Sequence, residues 1–373
     1  MRVLTFLHSF ALGGVERDAL RLNAGWRDAG IDVRVVVGRR IGVLRAEAPD
    51  LDYHFLTGPR ASWTRHFESL FMIARLPAEI RRFRPDILFC AGNTYTVVAV
   101  AMQLLLGRAC PPIVLKISND LERRDLPGWR RAGYHLWLRL QAPSFAAIVA
   151  MASPARAEIE RCMRVVPERV VVIENASLTA VEAERLAAAR AAQPRTHIGR
   201  RFLGIGRLVP QKNFALLIRA FASIAGPDDK LTIVGEGRER QRLERLAESL
   251  GLAAQVELPG HRQPLDAFFA DADLFILSSD YEGLGVVVVE ALAAGVPVVA
   301  TDCCVNMPAL VEGVGQLVAP GDLRALAKAM DRPLAAPDPE QMRDRVVPFT
   351  VEASVGQWRA LFARLARHAF YLP

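Results

Sequence analysis

Two glutamates, two cations and several glycines hold most of the chemistry legible in this chain. Glu282 and Glu290 bracket Gly283-Leu284-Gly285 and a run of four valines, Val286–Val289. Arg207 and Lys212 lie within Gly204-Ile205-Gly206-Arg207-Leu208-Val209-Pro210-Gln211-Lys212-Asn213. A forked guanidinium beside a compact ammonium suits a diphosphate. The amides of Gly283 and Gly285, set at a helix start, would point at the same anion. Where that diphosphate is a departing group, stabilising its growing charge is electrostatic catalysis.

The spacing has a geometric test. On a helix, the step from Glu282 to Glu290 rises about 12 Å, and the two carboxylates reach the sugar and ribose ends of one extended donor. On a strand the same step is about 27 Å, too far for that task. The valines favour a strand, but Glu290-Ala291-Leu292-Ala293-Ala294 favours a helix, and Gly295 with Pro297 stops it. The reading is a helix over 284–294 behind a loop with Glu282 at its tip. The plainer alternative is two surface carboxylates on an ordinary buried helix and two solvated cations in a loop. Gly13-Gly14, ahead of Glu16 and Arg17, either brings backbone close to phosphates or makes a simple turn. Gly235-Glu236-Gly237 reads as a structural turn.

The elements that must position these residues alternate. Short apolar runs bounded by Gly, Pro, Asp or Asn predict strands at 3–7, 33–37, 86–90, 113–117, 147–150 and 170–173, then at 202–205, 231–234, 255–258, 274–277 and 296–300. Amphipathic stretches lie between them. Phe214, Leu217, Ile218, Phe221 and Ile224 form one stripe at helical period. Alternating β and α predicts an α/β fold of two doubly wound, Rossmann-like parallel sheets facing a cleft, with ligands beyond the carboxyl ends of the strands. The break is placed after the Ala-rich helix 181–193 and Pro194. That gives an N-terminal domain over 1–194, joined by a terminal helix over 350–370, and a C-terminal domain over 195–348. Residues 334–348, rich in Pro and Asp, read as the crossing loop.

Bulk properties narrow the class. At 373 residues the chain suits two domains. With 51% apolar and 23% charged residues it reads as a soluble globular protein. Five scattered cysteines without paired spacing point to a reducing compartment, hence a cytoplasmic protein, and away from disulfides or zinc clusters. The apolar start over 1–12 lacks a cleavage-type site, and no apolar run reaches membrane-span length. Residues 1–180 hold 25 Lys+Arg against 17 Asp+Glu, while the remainder holds 22 against 23. A basic N-terminal half suits acidic partners such as phosphate-bearing substrates or the inner membrane face. Since 43 of the 47 basic residues are Arg, the skew also fits genome composition. Nucleic acid is set aside, because the basic residues are not interleaved with aromatics on a reading surface. The stretch 126–139, with Trp129, Arg130, Arg131, Tyr134, Trp137 and Arg139, is either a helix resting on a membrane surface or a solvated helix with a packed aromatic face. Asp271-Ala272-Asp273 is read as structural, since it directly precedes a buried strand.

Taken in order, Gly13-Gly14-Val15-Glu16-Arg17, Gly206-Arg207-Leu208 with Lys212-Asn213, Val234-Gly235-Glu236-Gly237 and the Glu282–Glu290 block resemble glycosyltransferase family 4, the retaining family with the GT-B fold. Asn175 resembles its Pro-Asn-Gly element, followed here by Ala176 and Ser177, and 349–358 resembles its terminal crossing helix. The resemblance spans nearly the whole chain. It implies a nucleotide diphosphate sugar as donor, retention at the anomeric carbon, no cofactor and no required metal. It also implies a glycan or lipid-linked acceptor, hexosyl or N-acetylhexosaminyl transfer, and a place in cell-surface polysaccharide synthesis.

On matching positions, Arg207 and Lys212 would bind the diphosphate and Glu290 the ribose. Glu282 with Gly283, Leu284 and Gly285 would face the sugar and distal phosphate, and Gly13 and Gly14 would close from the other domain. The resemblance further implies reaction at the front face, with the donor phosphate taking the acceptor proton, so that no protein nucleophile or separate base need be found. One departure stands out. Where the family often has a His lining the acceptor cleft, this chain has Lys116-Ile117-Ser118-Asn119-Asp120: either Ser118 and Asn119 meet the sugar instead, or the chain belongs to a subgroup with another acceptor, or activity is impaired. That gap keeps open a non-catalytic sugar-nucleotide-binding subunit. A sugar-nucleotide epimerase of the same architecture is the other alternative; it needs acid/base groups beside the sugar, and the missing His disfavours it. A nicotinamide dehydrogenase is disfavoured, because Gly-x-Gly-x-x-Gly is absent after the first strand.

Overall fold

The computed structural model describes residues 1–11, 13–57, 67–123, 126–193, 196–332 and 338–369. The chain divides into two compact units, one of Met1–Ala176 with Phe349–Pro373 and the other of Ser177–Pro348.

The first unit holds a seven-stranded, all-parallel sheet. Its strands are β1 (Arg2–Leu7), β2 (Asp32–Val37), β3 (Asp52–Phe55), β4 (Ile87–Cys90), β5 (Ile113–Lys116), β6 (Ala147–Ala150) and β7 (Val170–Val172), in the order β3-β2-β1-β4-β5-β6-β7. Its helices are α1 (Gly14–Asp28), α2 (Glu68–Phe83), α3 (Thr96–Leu106), α4 (Gly128–Gln141) and α5 (Ala155–Met163). Strands β4, β5 and β6 are buried throughout, as a sheet covered on both faces requires.

The second unit opens with α6 (Ala180–Ala192) and holds a six-stranded parallel sheet. Its strands are β8 (Arg201–Ile205), β9 (Lys230–Val234), β10 (Val256–Gly260), β11 (Leu274–Leu277), β12 (Val298–Thr301) and β13 (Gly315–Val318), in the order β10-β9-β8-β11-β12-β13. Its other helices are α7 (Phe214–Ala222), α8 (Arg240–Ser249), α9 (Asp266–Asp271), α10 (Val286–Ala293), α11 (Met307–Val311), α12 (Leu323–Asp331) and α13 (Pro339–Val346). The stripe on α7 lines the core, with Phe214, Leu217, Ile218 and Phe221 buried and Ile224 packed against them.

The last helix, α14 (Val351–Ala369), returns to the first unit and packs on α1 and β4. Trp358 and Phe362 there meet Trp26 at 5.4 and 5.0 Å and form an aromatic cluster with Phe89.

Three expectations need correction. The chain divides at Ala176/Ser177, ahead of the expected break, whose residues 194 and 195 lie outside the described residues. Helix α6 belongs with the second unit because it packs on α9, and Arg190 donates to the carbonyls of Phe269 and Ala272 at 3.1 and 2.6 Å. The stretch expected as a crossing loop over 334–348 contains α13, capped by Asp338 and packed on α10; its residues 334–337 lie outside the described residues. Finally, β3 and β13 were not anticipated. Both are sheet edges, only partly buried, and both mix polar residues with apolar ones, so neither shows as an apolar run.

Candidate active site

The second sheet reverses direction between β8 and β11: the chain steps one way to β9 and β10, then restarts beside β8 and steps the other way. Ligands bind such sheets at the carboxyl ends of the strands flanking the reversal. The loops there are 206–213 after β8 and 278–285 after β11, and polar contacts stitch them together. Gln211 Nε2 donates to the Tyr281 carbonyl at 2.9 Å, and the Asp280 amide donates to the Gln211 carbonyl at 2.9 Å. Ser278 Oγ donates to the Lys212 carbonyl and Asn213 Nδ2 to Asp280 Oδ1, both at 2.8 Å.

Within this seam Lys212 Nζ lies 2.5 Å from Glu282 Oε1, which also accepts from Ser279 Oγ at 2.8 Å. The side chains of Lys212 and Glu282 are only 13% and 11% exposed, so their attraction is less screened than that of a surface pair. An ammonium has three donors; Glu282 takes one, leaving capacity for an incoming anion.

The glycines explain how the seam closes. A Cβ on Gly235 would lie 1.9 Å from the Gly206 carbonyl oxygen, so the turn after β9 lies directly on the turn after β8. Gly285 caps α10 at φ 80, and a Cβ there would come within 2.8 Å of Met307. The four valines are helical, with Val288 and Val289 fully buried, so α10 is a buried helix whose composition follows its surroundings.

Helix α10 begins two residues later than the expected 284 start, leaving Gly283 and Leu284 in the loop before it. Glu290 is buried at mid-helix. Arg207 shares its loop with Lys212 and is exposed; among the described residues no hydrogen bond or ion pair joins it to Glu282 or to the start of α10. Cys303, which the sequence did not flag, accepts the Glu282 amide on its carbonyl at 3.2 Å. Its thiol is held well above the ordinary range by Cys304, by burial and by the charge of Glu282, and so stays protonated.

The first sheet reverses between β1 and β4. Gly13 caps α1 after β1, and Gly14 is its first residue. Glu16 Oε1 accepts from Tyr95 at 2.6 Å, fixing α1 to the turn after β4. Asn93 in that turn accepts the Ser118 amide at 2.9 Å and donates to Tyr134 at 3.4 Å, so Ser118 is tied down and Asn119 follows it, half-buried. Asn93 and Tyr95 belong to no motif; only the fold brings them here.

Lys116, where β5 ends, is buried, with Nζ 3.4 Å from Asp18 Oδ2, which also accepts from Asn175 at 2.9 Å. Desolvation lowers the Lys116 pKa. Beyond Asn119, Glu158 Oε1 accepts the amides of Leu121 and Glu122 at 2.7 and 2.9 Å. Burial, a hydrogen bond with Asp120 and the Asp120 charge push the Glu158 carboxyl up to about 8.

Among the described residues one group gathers mixed metal-type ligands, Glu122, His135 and Cys162, with ligand atoms within 4.8 Å of one another. It fits a cation poorly: the Arg161 guanidinium already bridges Glu122, and the Cys162 thiol is pushed up to about 12. The Asp271–Asp273 carboxylates are engaged in structure, with Asp273 accepting the Arg201 amide at 2.9 Å and Asp271 4.0 Å from the Arg201 guanidinium.

Comparison with known proteins adds family and fold. Residues 12–176 match Glycosyltransferase Family 4, and residues 189–347 match Glycosyl transferases group 1. An exopolysaccharide phosphotransferase of Streptomyces coelicolor is 33% identical over 316 residues, covering 81% of this chain and 31% of that protein. The lipopolysaccharide core biosynthesis glycosyltransferase LpsE of Rhizobium meliloti is 34% identical over 157 residues, 42% of this chain and 45% of that protein. The chain thus spans about a third to under half the length of these curated relatives. Anabaena HepE in complex with UDP and glucose superposes with a TM-score of 0.76 over 98% of this chain and 100% of that one, at 20% identity. That likeness carries the fold, two Rossmann-like sheets of GT-B type.

Proposed function

The chain belongs to glycosyltransferase family 4, with the GT-B fold, and on that premise we propose that it transfers a sugar, with retention, from a nucleotide diphosphate sugar to a glycan or lipid-linked acceptor in cell-surface polysaccharide synthesis. The observation that carries this reading is the Lys212–Glu282 pair, locked between two stitched loops at a sheet reversal, just ahead of the start of α10.

In this mechanism Lys212 and Arg207 take the donor diphosphate. The charge that grows on it as the glycosidic bond breaks is met by Lys212, by Arg207 and by the amides at the start of α10. Glu282 holds Lys212 in place and, with Gly283, Leu284 and Gly285, meets the sugar and distal phosphate. Glu290 holds the ribose hydroxyls, and Gly13 and Gly14 are assigned to the donor phosphates as well. The departing phosphate oxygen takes the acceptor proton on the face it leaves, which keeps the anomeric configuration. Ser118 and Asn119 serve the acceptor. The protein's own cations carry the phosphate charge, so neither metal nor cofactor is required. It works in the cytoplasm, against the inner membrane face.

The test is incubation with UDP-, GDP-, ADP- and TDP-sugars. Slow release of nucleoside diphosphate from one of them, unchanged by EDTA, is expected. Release of nucleoside monophosphate would replace the reading with phosphosugar transfer, isomerised sugar would replace it with epimerisation, and binding without turnover would leave a binding subunit. A rate abolished by EDTA and restored by magnesium would overturn the metal-free step.

A further inference from the structure

The outward faces of α3 and α4, with Leu70 on the neighbouring α2, carry large apolar side chains where solvated helices are polar. Leu70 on α2, Leu104 and Leu105 on α3, and Trp129, Leu136 and Leu140 on α4 are each between 55% and 79% exposed. On α4 the three recur at one helical face, separated by the exposed small residues Ala132 and Gly133. The helices share one side of the sheet: the steps β3 to β4, β4 to β5 and β5 to β6 all run the same way, and right-handed crossovers place their helices together. Helix α2 packs on α3, and α3 packs on the turn that ends α4.

Charge accompanies this surface with one sign. Helices α3 and α4 contain no acidic residue, while α4 carries Arg130, Arg131 and Arg139, and Arg108 follows α3. The Arg130 guanidinium lies over the Trp129 ring, 4.9 Å from its centre. On α2 both acids are engaged, Glu68 with Arg39 and Glu79 with His54, while Arg75, Arg81 and Arg82 add positive charge. Exposed leucines and a tryptophan on helices that also carry arginines match the two-part attraction of an interfacial helix, acyl chains for the leucines and anionic headgroups for the arginines. An exposed Trp at the rim suits the headgroup level.

We propose that the α2–α3–α4 face docks on a bilayer rich in anionic phospholipid, lying on it without crossing; no helix among the described residues is long and apolar enough to span. The proposal takes its biological purpose from the reading above, a lipid-linked acceptor, but its test needs neither donor nor acceptor. Full-length protein is sedimented with phosphatidylglycerol-containing or pure phosphatidylcholine vesicles. The expected result is binding to the anionic vesicles, weakened by high salt, with a blue shift in Trp emission.

A variant carrying Trp129→Ser, Leu136→Ser and Leu140→Ser should partition at least about ten-fold more weakly, as should one carrying Arg130→Ala, Arg131→Ala and Arg139→Ala. Both should melt as the parent does and release nucleoside diphosphate from free donor at the parent rate. Parent protein left in the supernatant, serine and alanine variants that bind as tightly as the parent, or equal binding to phosphatidylcholine would each overturn the proposal. A parent dimer in gel filtration that the serine substitutions split, without vesicle binding, would assign the face to a second copy instead. Vesicle binding without sugar-nucleotide turnover would leave the docking intact and sink only the transferase reading.

Discussion

At the scale of single residues, the proposed chemistry rests on the ion pair between Lys212 and Glu282. Lys212→Ala should lower donor turnover by about 100-fold, the usual cost of removing one donor to a developing oxyanion, with far-UV circular dichroism unchanged. Glu290→Ala should abolish detectable release in the same assay, and parent-like rates in both variants would sink the site assignment. A second prediction concerns Glu158, whose carboxyl is raised to about 8 in the folded state from an ordinary value near 4.5. The folded protein then holds a proton that the unfolded chain has already lost. The stability from this group is full below pH 4.5 and lost as pH rises toward and through 8. Glu158→Gln keeps both the acceptor for the Leu121 and Glu122 amides and a donor to Asp120. It should therefore flatten that part of the profile, read as urea midpoints at pH 5 and 8.5; an unchanged slope would count against the carboxyl pair. Lys212 and Glu282, which the structure brings together, stand out in the sequence by type and spacing alone. Their partners Gln211, Ser279 and Cys303, like Asn93 and Tyr95 in the first unit, are not, because each is a common residue made useful only by what the fold sets opposite it.

At the scale of elements, strand and helix identity follows burial. Every anticipated strand forms: the inner strands of a doubly covered sheet are apolar runs, and the edge β7 is one too, whereas the edges β3 and β13 mix polar residues with apolar ones in only four positions each. The four valines at the head of α10 are the instructive case. Their strand propensity is overridden by a buried site that accepts branched side chains in either geometry and by the helical Glu290–Ala294 stretch behind them. Helix α13 escaped notice because Pro and Asp mark loops and helix starts alike, and here Asp338 caps while Pro339 opens. Gly285 is the hinge of this arrangement, and Gly285→Ala should destabilise the second unit by about 1–2 kcal/mol through its left-handed backbone, with crowding against Met307 adding to the loss. A lowered melting temperature checks it, and a rise would show that the turn relaxes.

At the scale of the whole molecule, the two units are built differently in sequence. The second is one continuous stretch, Ser177–Pro348, while the first needs Phe349–Pro373 to cover Trp26 and Phe89. A fragment of 177–348 should melt cooperatively on its own. A fragment of 1–176 should bind hydrophobic dyes and aggregate unless 349–373 is supplied, and Trp358→Ala in the full chain should cost about 3–5 kcal/mol. A cooperative, soluble 1–176 fragment would contradict this. The late return of α14 also orders events during synthesis. The sheet of the first unit waits, one aromatic face bare, while the second unit is made and closes. Until the closing helix is made the earlier unit stays incomplete, and chaperones that shield half-built domains should bind it at that stage.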